Sequence, residues 1–227
     1  MELAKPHLDI GLFTNDIDAH RRFWSDTVGL RLDHELALGL EDIVQYRYDA
    51  HDSVIKVNHR PAPFSPQPRS GYSGLTIARE GASWSGSHPG GDTVRLVEPG
   101  TDGVVGIGIT VCTPDPERMM RFYVEAMEFE QVAPLTARCG DSLLFVEPGT
   151  GGSPKASFIG PDFHYLTVQI FDADAACEQI VARGGRLGQA PRTLNQVARY
   201  GFVLDPDGNW IEVSARKSLT GVEPRAD

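Results

Sequence analysis

The chain repeats itself. Asp115 and Phe122 stand 99 residues after Asp16 and Phe23, and Thr110 stands the same distance after Gly11. An offset shared across a strand, a cap and a helix constrains the fold strongly, because each copy must form the same supersecondary unit. Leu8 to Phe13 reads as a strand. Asp16 is an N-cap, Ala19 to Val28 carries a helical pattern holding Phe23 and Trp24, and Gly29 ends it. Ile107 to Val111, Asp115-Pro116 and Phe122-Tyr123 follow the same plan. Short β-branched and aromatic segments come after each helix. They are Arg31 to Leu38, Ile43 to Tyr48 and Ser53 to His59, then Phe129 to Pro134, Thr136 to Cys139 and Ser142 to Glu147. The turns between them suit an antiparallel meander, so the unit is β-α-β-β-β.

A different half-unit also recurs. Leu75-Thr76-Ile77 resembles Leu166-Thr167-Val168, and His88 to Leu96 resembles Asp205 to Val213. In the later copy Asp172 or Asp174 caps a helix over Ala175 to Ala182, and Gly184-Gly185 stops it. In the earlier copy Glu80 to Ser87 is too short and too rich in Gly and Ser for a helix. The sequence thus divides into a first domain at 1–98 with an abbreviated second half, a linker at 99–103, a second domain at 104–216 and a flexible polar tail at 217–227.

Composition narrows the function classes. A 227-residue chain that is 41% hydrophobic can bury a real core. A net charge of -10 argues against nucleic acid and against docking on an anionic membrane. No apolar run approaches the roughly 20 residues of a membrane span. Cys112, Cys139 and Cys177 form no C-x-x-C pair and are odd in number. Free thiols, with no apolar leader at the start, point to a cytoplasmic protein. The expected partner is a small molecule, and the chain is expected to be a monomer or a homodimer.

Leu8 to Phe13, Asp16, Arg22-Phe23-Trp24 and Val28-Gly29-Leu30 resemble the opening of a vicinal oxygen chelate module. Glyoxalases, bleomycin- and fosfomycin-resistance proteins and extradiol dioxygenases make up that superfamily. Asp115 and Arg121-Phe122-Tyr123 repeat the opening, and Asp205-Pro206-Asp207-Gly208-Asn209-Trp210-Ile211-Glu212-Val213 is similar to the closing strand. The resemblance implies an α+β fold, with tandem βαβββ modules paired into two open eight-stranded β-cups with flanking helices. It also implies a divalent metal on the concave face, held by His, Glu or Gln from the first and last strands of each unit.

The implied metal ligands are mostly missing. Counting back seven residues from each cap gives Asp9, Gly108 and Tyr165, and the closing-strand position falls on Glu212 and Arg95. Only Glu212 matches in type and place. His164 lies one residue from the expected position, and a slip in register would turn it to the concave face. Glu212, His164 and Glu147 are then the candidate ligands for Fe, Mn, Zn or Ni, with no metal at all as the alternative. In Ser53 to His59, period-2 alternation puts Lys56 and Asn58 on one face. If they face the cup they can bind a carboxylate or enolate oxygen, with Asp9 and Arg95 nearby. His51 and His59 are alternative acid/base groups. Trp84, Tyr72 and Trp210 are candidate pocket aromatics.

One functional expectation is an enzyme acting on a small oxygenated molecule by isomerase, lyase or ring-cleavage chemistry. Its catalytic candidates are Glu212, His164, Tyr165 and Lys56, and its substrate-binding candidates are Asp9, Asn58, Arg95 and Trp210. The other is a metal-free protein that binds a small molecule or sequesters an antibiotic. The chain's negative charge would suit a cationic ligand there.

Overall fold

The first three helices each start where the sequence offers an aspartate. In the computed structural model, which describes residues 1–39 and 42–226, Asp16 accepts from the Ala19 amide at 2.9 Å, Asp115 from Arg118 at 3.0 Å and Asp172 from Ala175 at 3.0 Å. These caps satisfy amides that the first helical turn leaves unpaired. They open α1 (Ile17–Arg21), α2 (Pro116–Arg121) and α3 (Ala173–Ala182).

The first two helices are shorter than the pattern suggests. Each passes into a wider π-helical turn, Arg22–Thr27 and Phe122–Ala126. Val28 N–H bonds back to Phe23 O at 2.8 Å, and Met127 N–H to Phe122 O at 3.1 Å. A wider turn brings adjacent side chains closer to one face. It lets both Phe23 and Trp24, and both Phe122 and Tyr123, point into the core.

The first unit supplies β1 (Asp9–Thr14), β2 (Arg31–Ala37), β3 (Val44–Ala50) and β4 (Ser53–His59). The second supplies β5 (Tyr72–Ala78), β6 (Trp84–Ser87) and β7 (Thr93–Val97), with a strand where the others have a helix. The third supplies β8 (Ile107–Thr113), β9 (Glu130–Ala133), β10 (Thr136–Cys139) and β11 (Ser142–Pro148). The fourth supplies β12 (Tyr165–Gln169), β13 (Arg186–Leu194), β14 (Ala198–Leu204) and β15 (Trp210–Arg216). A helical turn, α4 (Lys217–Thr220), follows.

The units do not pair in chain order. One sheet has eight strands in the order β13-β14-β15-β12-β1-β4-β3-β2, so the first unit joins the fourth. The other has seven, β6-β7-β5-β8-β11-β10-β9, so the second joins the third. Both sheets cut across the sequence division at residues 99–103. That connection is short and holds the single turn Thr101–Gly103. It keeps units two and three adjacent, as short connections do. The second sheet is one strand short of eight because unit two is abbreviated.

Alternation then sorts the side chains. Leu8, Ile10, Leu12, Ile55, Val57, Leu166, Val168, Ile211 and Val213 join one core with apolar residues of the second sheet and with Trp24, Phe163 and Tyr123. The intervening residues of the same four central strands face the other way, into the concavity. Among the described residues no helix is long and apolar enough to cross a membrane. Replacing Asp172 by Ala should lower the unfolding free energy by about 1 kcal/mol in urea titration, and by Ser much less.

Candidate functional site

Lys56 lies at the centre of the concave face of the eight-stranded sheet. Its Nζ donates to Glu212 Oε2 at 2.7 Å and to Thr167 Oγ1 at 2.7 Å, and stands 4.0 Å from Asp9 Oδ2. Thr167 Oγ1 in turn donates to Glu212 at 2.6 Å. Register explains the meeting: Asp9 pairs with Thr167 across β1 and β12, and Thr167 with Glu212 across β12 and β15. Lys56 reaches them from β4, whose Lys56 pairs with Gly11. These four residues come from the first and last strands of units one and four.

Asp9 is fully buried. Its Oδ1 takes Lys5 Nζ at 2.6 Å and the Val54 amide at 2.9 Å. Burial works to raise its carboxyl, but Lys5 and Lys56 outweigh that and hold it below the usual range. Burial pulls the Lys56 ammonium below its ordinary value, while Glu212 and Asp9 push it back up.

Beside this cluster sits Tyr165. Its hydroxyl accepts from Asn58 Nδ2 at 2.9 Å, and its ring centroid is 5.6 Å from Lys56 Nζ. Gly11 makes room for the ring, since a Cβ there would lie 2.0 Å from Tyr165 Cζ. Burial pushes the phenol well above its ordinary value, so it stays protonated. Phe13, Phe158, Tyr200 and Phe202 carry the wall upward from Tyr165. Phe158 stacks on Phe202 at 4.8 Å. Together floor and wall enclose a cavity of about 300 Å³.

Of the residues singled out in the sequence, Lys56, Asn58, Tyr165, Asp9 and Glu212 are brought together here. Trp210 stands behind the wall, edge-on to Phe202 at 5.5 Å, with Nε1 on Ala156 O at 2.8 Å. His164 is not in the cup. The register that turns Tyr165 and Thr167 inward turns His164 to the opposite side, where Nδ1 meets Asp162 Oδ1 at 2.8 Å. Arg95 and Glu147 belong to the other sheet and are exposed, and Arg95 faces Asp102. In that sheet Phe145 lies over Gly108, where a Cβ would stand 2.6 Å from the ring. His51 bonds to Ala78 O at 2.5 Å, away from the cup.

Thr167, Arg47, Arg216 and Gln169 also reach the floor. Gln45 and Arg47 repeat on β3 the alternation of Asn58 and Lys56 on β4, and each pair is in register. That doubled polar alternation was the signal available for Arg47. Arg216 carried none, since a basic residue at a chain-end strand reads as solvated surface.

The donor set does not fit a divalent metal. Among the described residues no three His, Cys, Asp or Glu side chains gather at one point. An ammonium, which offers no lone pair, already bonds to Glu212 where a metal would need it, and would repel a cation there. The lining also departs from the chain's overall sign. Arg47, Lys56, Arg192 and Arg216 line the cavity against one carboxylate, Glu212, among the described residues.

Residues 107–213 match the model of the Glyoxalase/Bleomycin resistance protein/Dioxygenase superfamily. The fold is similar to glyoxalase I from Zea mays, at TM-score 0.70 and 12% identity over 92% of each chain. A variant of that enzyme aligns at TM-score 0.72 and 12% identity over 98% of this chain and 96% of the other. A Bacillus subtilis protein provisionally assigned as a dioxygenase aligns at TM-score 0.66 and 12% identity, over 99% of this chain and 87% of that one. A comparison with curated protein sequences finds no match.

The sign of the Asp9 shift gives an acid prediction. A carboxyl held low in the folded state contributes stability above its unfolded value of about 3.9, and that contribution is lost as pH falls through the folded value. Asp9→Asn should therefore melt lower than the wild type near neutral pH. The gap should close between about pH 5 and pH 2 in thermal melts.

Proposed function

We propose that this chain, whose residues 107–213 match the model of the Glyoxalase/Bleomycin resistance protein/Dioxygenase superfamily, binds a small oxygenated molecule in the cup of its first and fourth units and moves a proton on it without a resident metal. The observation that carries this reading is Lys56, hydrogen-bonded to Glu212 and Thr167 where the family resemblance implies a metal and its ligands.

The chemistry available is proton transfer beside a carbonyl. The Glu212 carboxylate is partly open to the cavity and is held by Thr167 and Lys56. It takes a proton from the carbon next to a ligand carbonyl. The C–H electron pair moves into the carbonyl, and the negative oxygen that forms is stabilised by the Lys56 ammonium. Return of the proton to the same or a neighbouring carbon gives exchange or isomerisation. The aromatic wall excludes water and holds the apolar part of the ligand. Lyase chemistry needs only a leaving group on the next carbon. Buried free Cys139 and Cys177 support a reducing, cytoplasmic setting.

The aromatic wall favours a second reading, in which the cup binds and holds a ligand without changing it. Solvent-deuterium exchange separates the two. Enolisable ketones, aldehydes and 2-oxo acids are incubated with the protein in D2O and followed by proton NMR. Accelerated exchange with at least one compound, abolished in Glu212→Gln and lowered by at least about tenfold in Lys56→Met, is the expected result. No acceleration across the panel overturns the proton-transfer reading in favour of binding alone.

A further inference from the structure

Arg47 and Arg216 are not used by the proton-transfer cluster. Arg47 is 6% exposed and lines the cavity. Its Nη1 donates to Gln45 Oε1 at 2.6 Å, while its Nε is buried with no partner. No carboxylate of the described residues lies within ion-pair distance of it. Moreover, β3 sets Arg47 directly opposite Lys56 of β4 on the same face. Like charges opposite one another across an antiparallel pair are destabilising.

Arg216, at the end of β15, brings a third cation to the same space. Burial and the nearby Arg47 charge both lower its pKa, and Glu212 and Asp9 only partly offset them. The two carboxylates of the floor are already engaged, Glu212 by Lys56 and Asp9 by Lys5. A buried guanidinium left without an anion is destabilising unless something else supplies the charge. The arrangement is therefore complete only with an anion in the cavity. A carboxylate matches the planar fork of a guanidinium in two hydrogen bonds. The cavity, about 300 Å³, lies at the small end of ligand pockets and is walled by Phe158, Phe202 and Tyr200.

We infer that the cup selects a small organic carboxylate, its charged end held by Arg47 and Arg216 and its apolar body laid against the aromatic wall. This rests on the same cup as the proposed function and names the class of molecule it takes. The carbonyl that Lys56 and Glu212 address would belong to that acid.

The test uses the full chain and a neutral fluorophore, N-phenyl-1-naphthylamine, displaced by a matched pair, 3-phenylpropanoate and 3-phenylpropanamide. The acid should displace the fluorophore at concentrations at least about tenfold below the amide, as charge-assisted hydrogen bonds require. Arg216→Gln should bring acid and amide within about threefold of each other by weakening the acid alone. Arg47→Gln should do the same and also raise the melting temperature of the ligand-free protein, because it removes a buried cation without a partner. Fluorophore binding with equal displacement by acid and amide overturns the carboxylate site and leaves the cup intact. Failure of the fluorophore and of both compounds to bind overturns the cup and this inference with it. An Arg47→Gln protein that melts lower, with the acid-to-amide ratio unchanged, makes Arg47 a structural residue and also overturns the inference.

Discussion

The Lys56 ammonium ties together residues that are far apart in the chain. Thr167 is 111 residues away and Glu212 is 156. Taking these charges out of water costs several kcal/mol for each ion, and only close geometry with extra hydrogen bonds returns it. Here Thr167 bonds to both partners of the pair, so neither the ammonium nor the Glu212 carboxylate is left with a single contact. Removing Lys56 would leave Glu212 and Asp9 facing the same small space. Asp9 also holds Lys5, whereas the cation bonded to Glu212 is Lys56, covalently part of β4.

That contact depends on how the units pair. Lys56 comes from unit one, and Thr167 and Glu212 come from unit four. They meet because β1 runs antiparallel beside β12. The floor residues named here come from two units of one chain. The other sheet uses the same unit differently. Its first-strand glycine, Gly108, lies under Phe145, and strand alternation puts Arg95 and Glu147 on that same face, where both are exposed. Related backbones thus carry different side chains on their concave faces: Phe145 pairs with Thr110 in one sheet as Lys56 pairs with Gly11 in the other.

Much of this was legible in the sequence for local reasons. Helix caps, the 99-residue repeat and the missing helix near Glu80 depend on neighbours along the chain. So does the alternation that put Lys56 and Asn58 on one face. The rest depends on contacts between distant segments. Strand spacing alone left the side taken by His164 open, because one residue of register exchanges it with Tyr165. Counting from the helix cap reached Tyr165, whereas the residue opposite Asp9 is Thr167. Arg95 and Asp9 seemed to share a cup only on the assumption that neighbouring units pair. The charge of the whole chain gave the wrong sign for the cavity, because the field at a buried site is set by the few groups that line it.

The central claim is that the Lys56 ammonium, rather than a metal, holds the Glu212 carboxylate of this cup. Elemental analysis of the purified full chain, before and after incubation with Zn(II), Ni(II), Mn(II) and Fe(II), tests it most directly. The account predicts metal far below one equivalent in every sample, with no difference between the wild type and Glu212→Ala. Metal near one equivalent per chain, lost in Glu212→Ala, would contradict it.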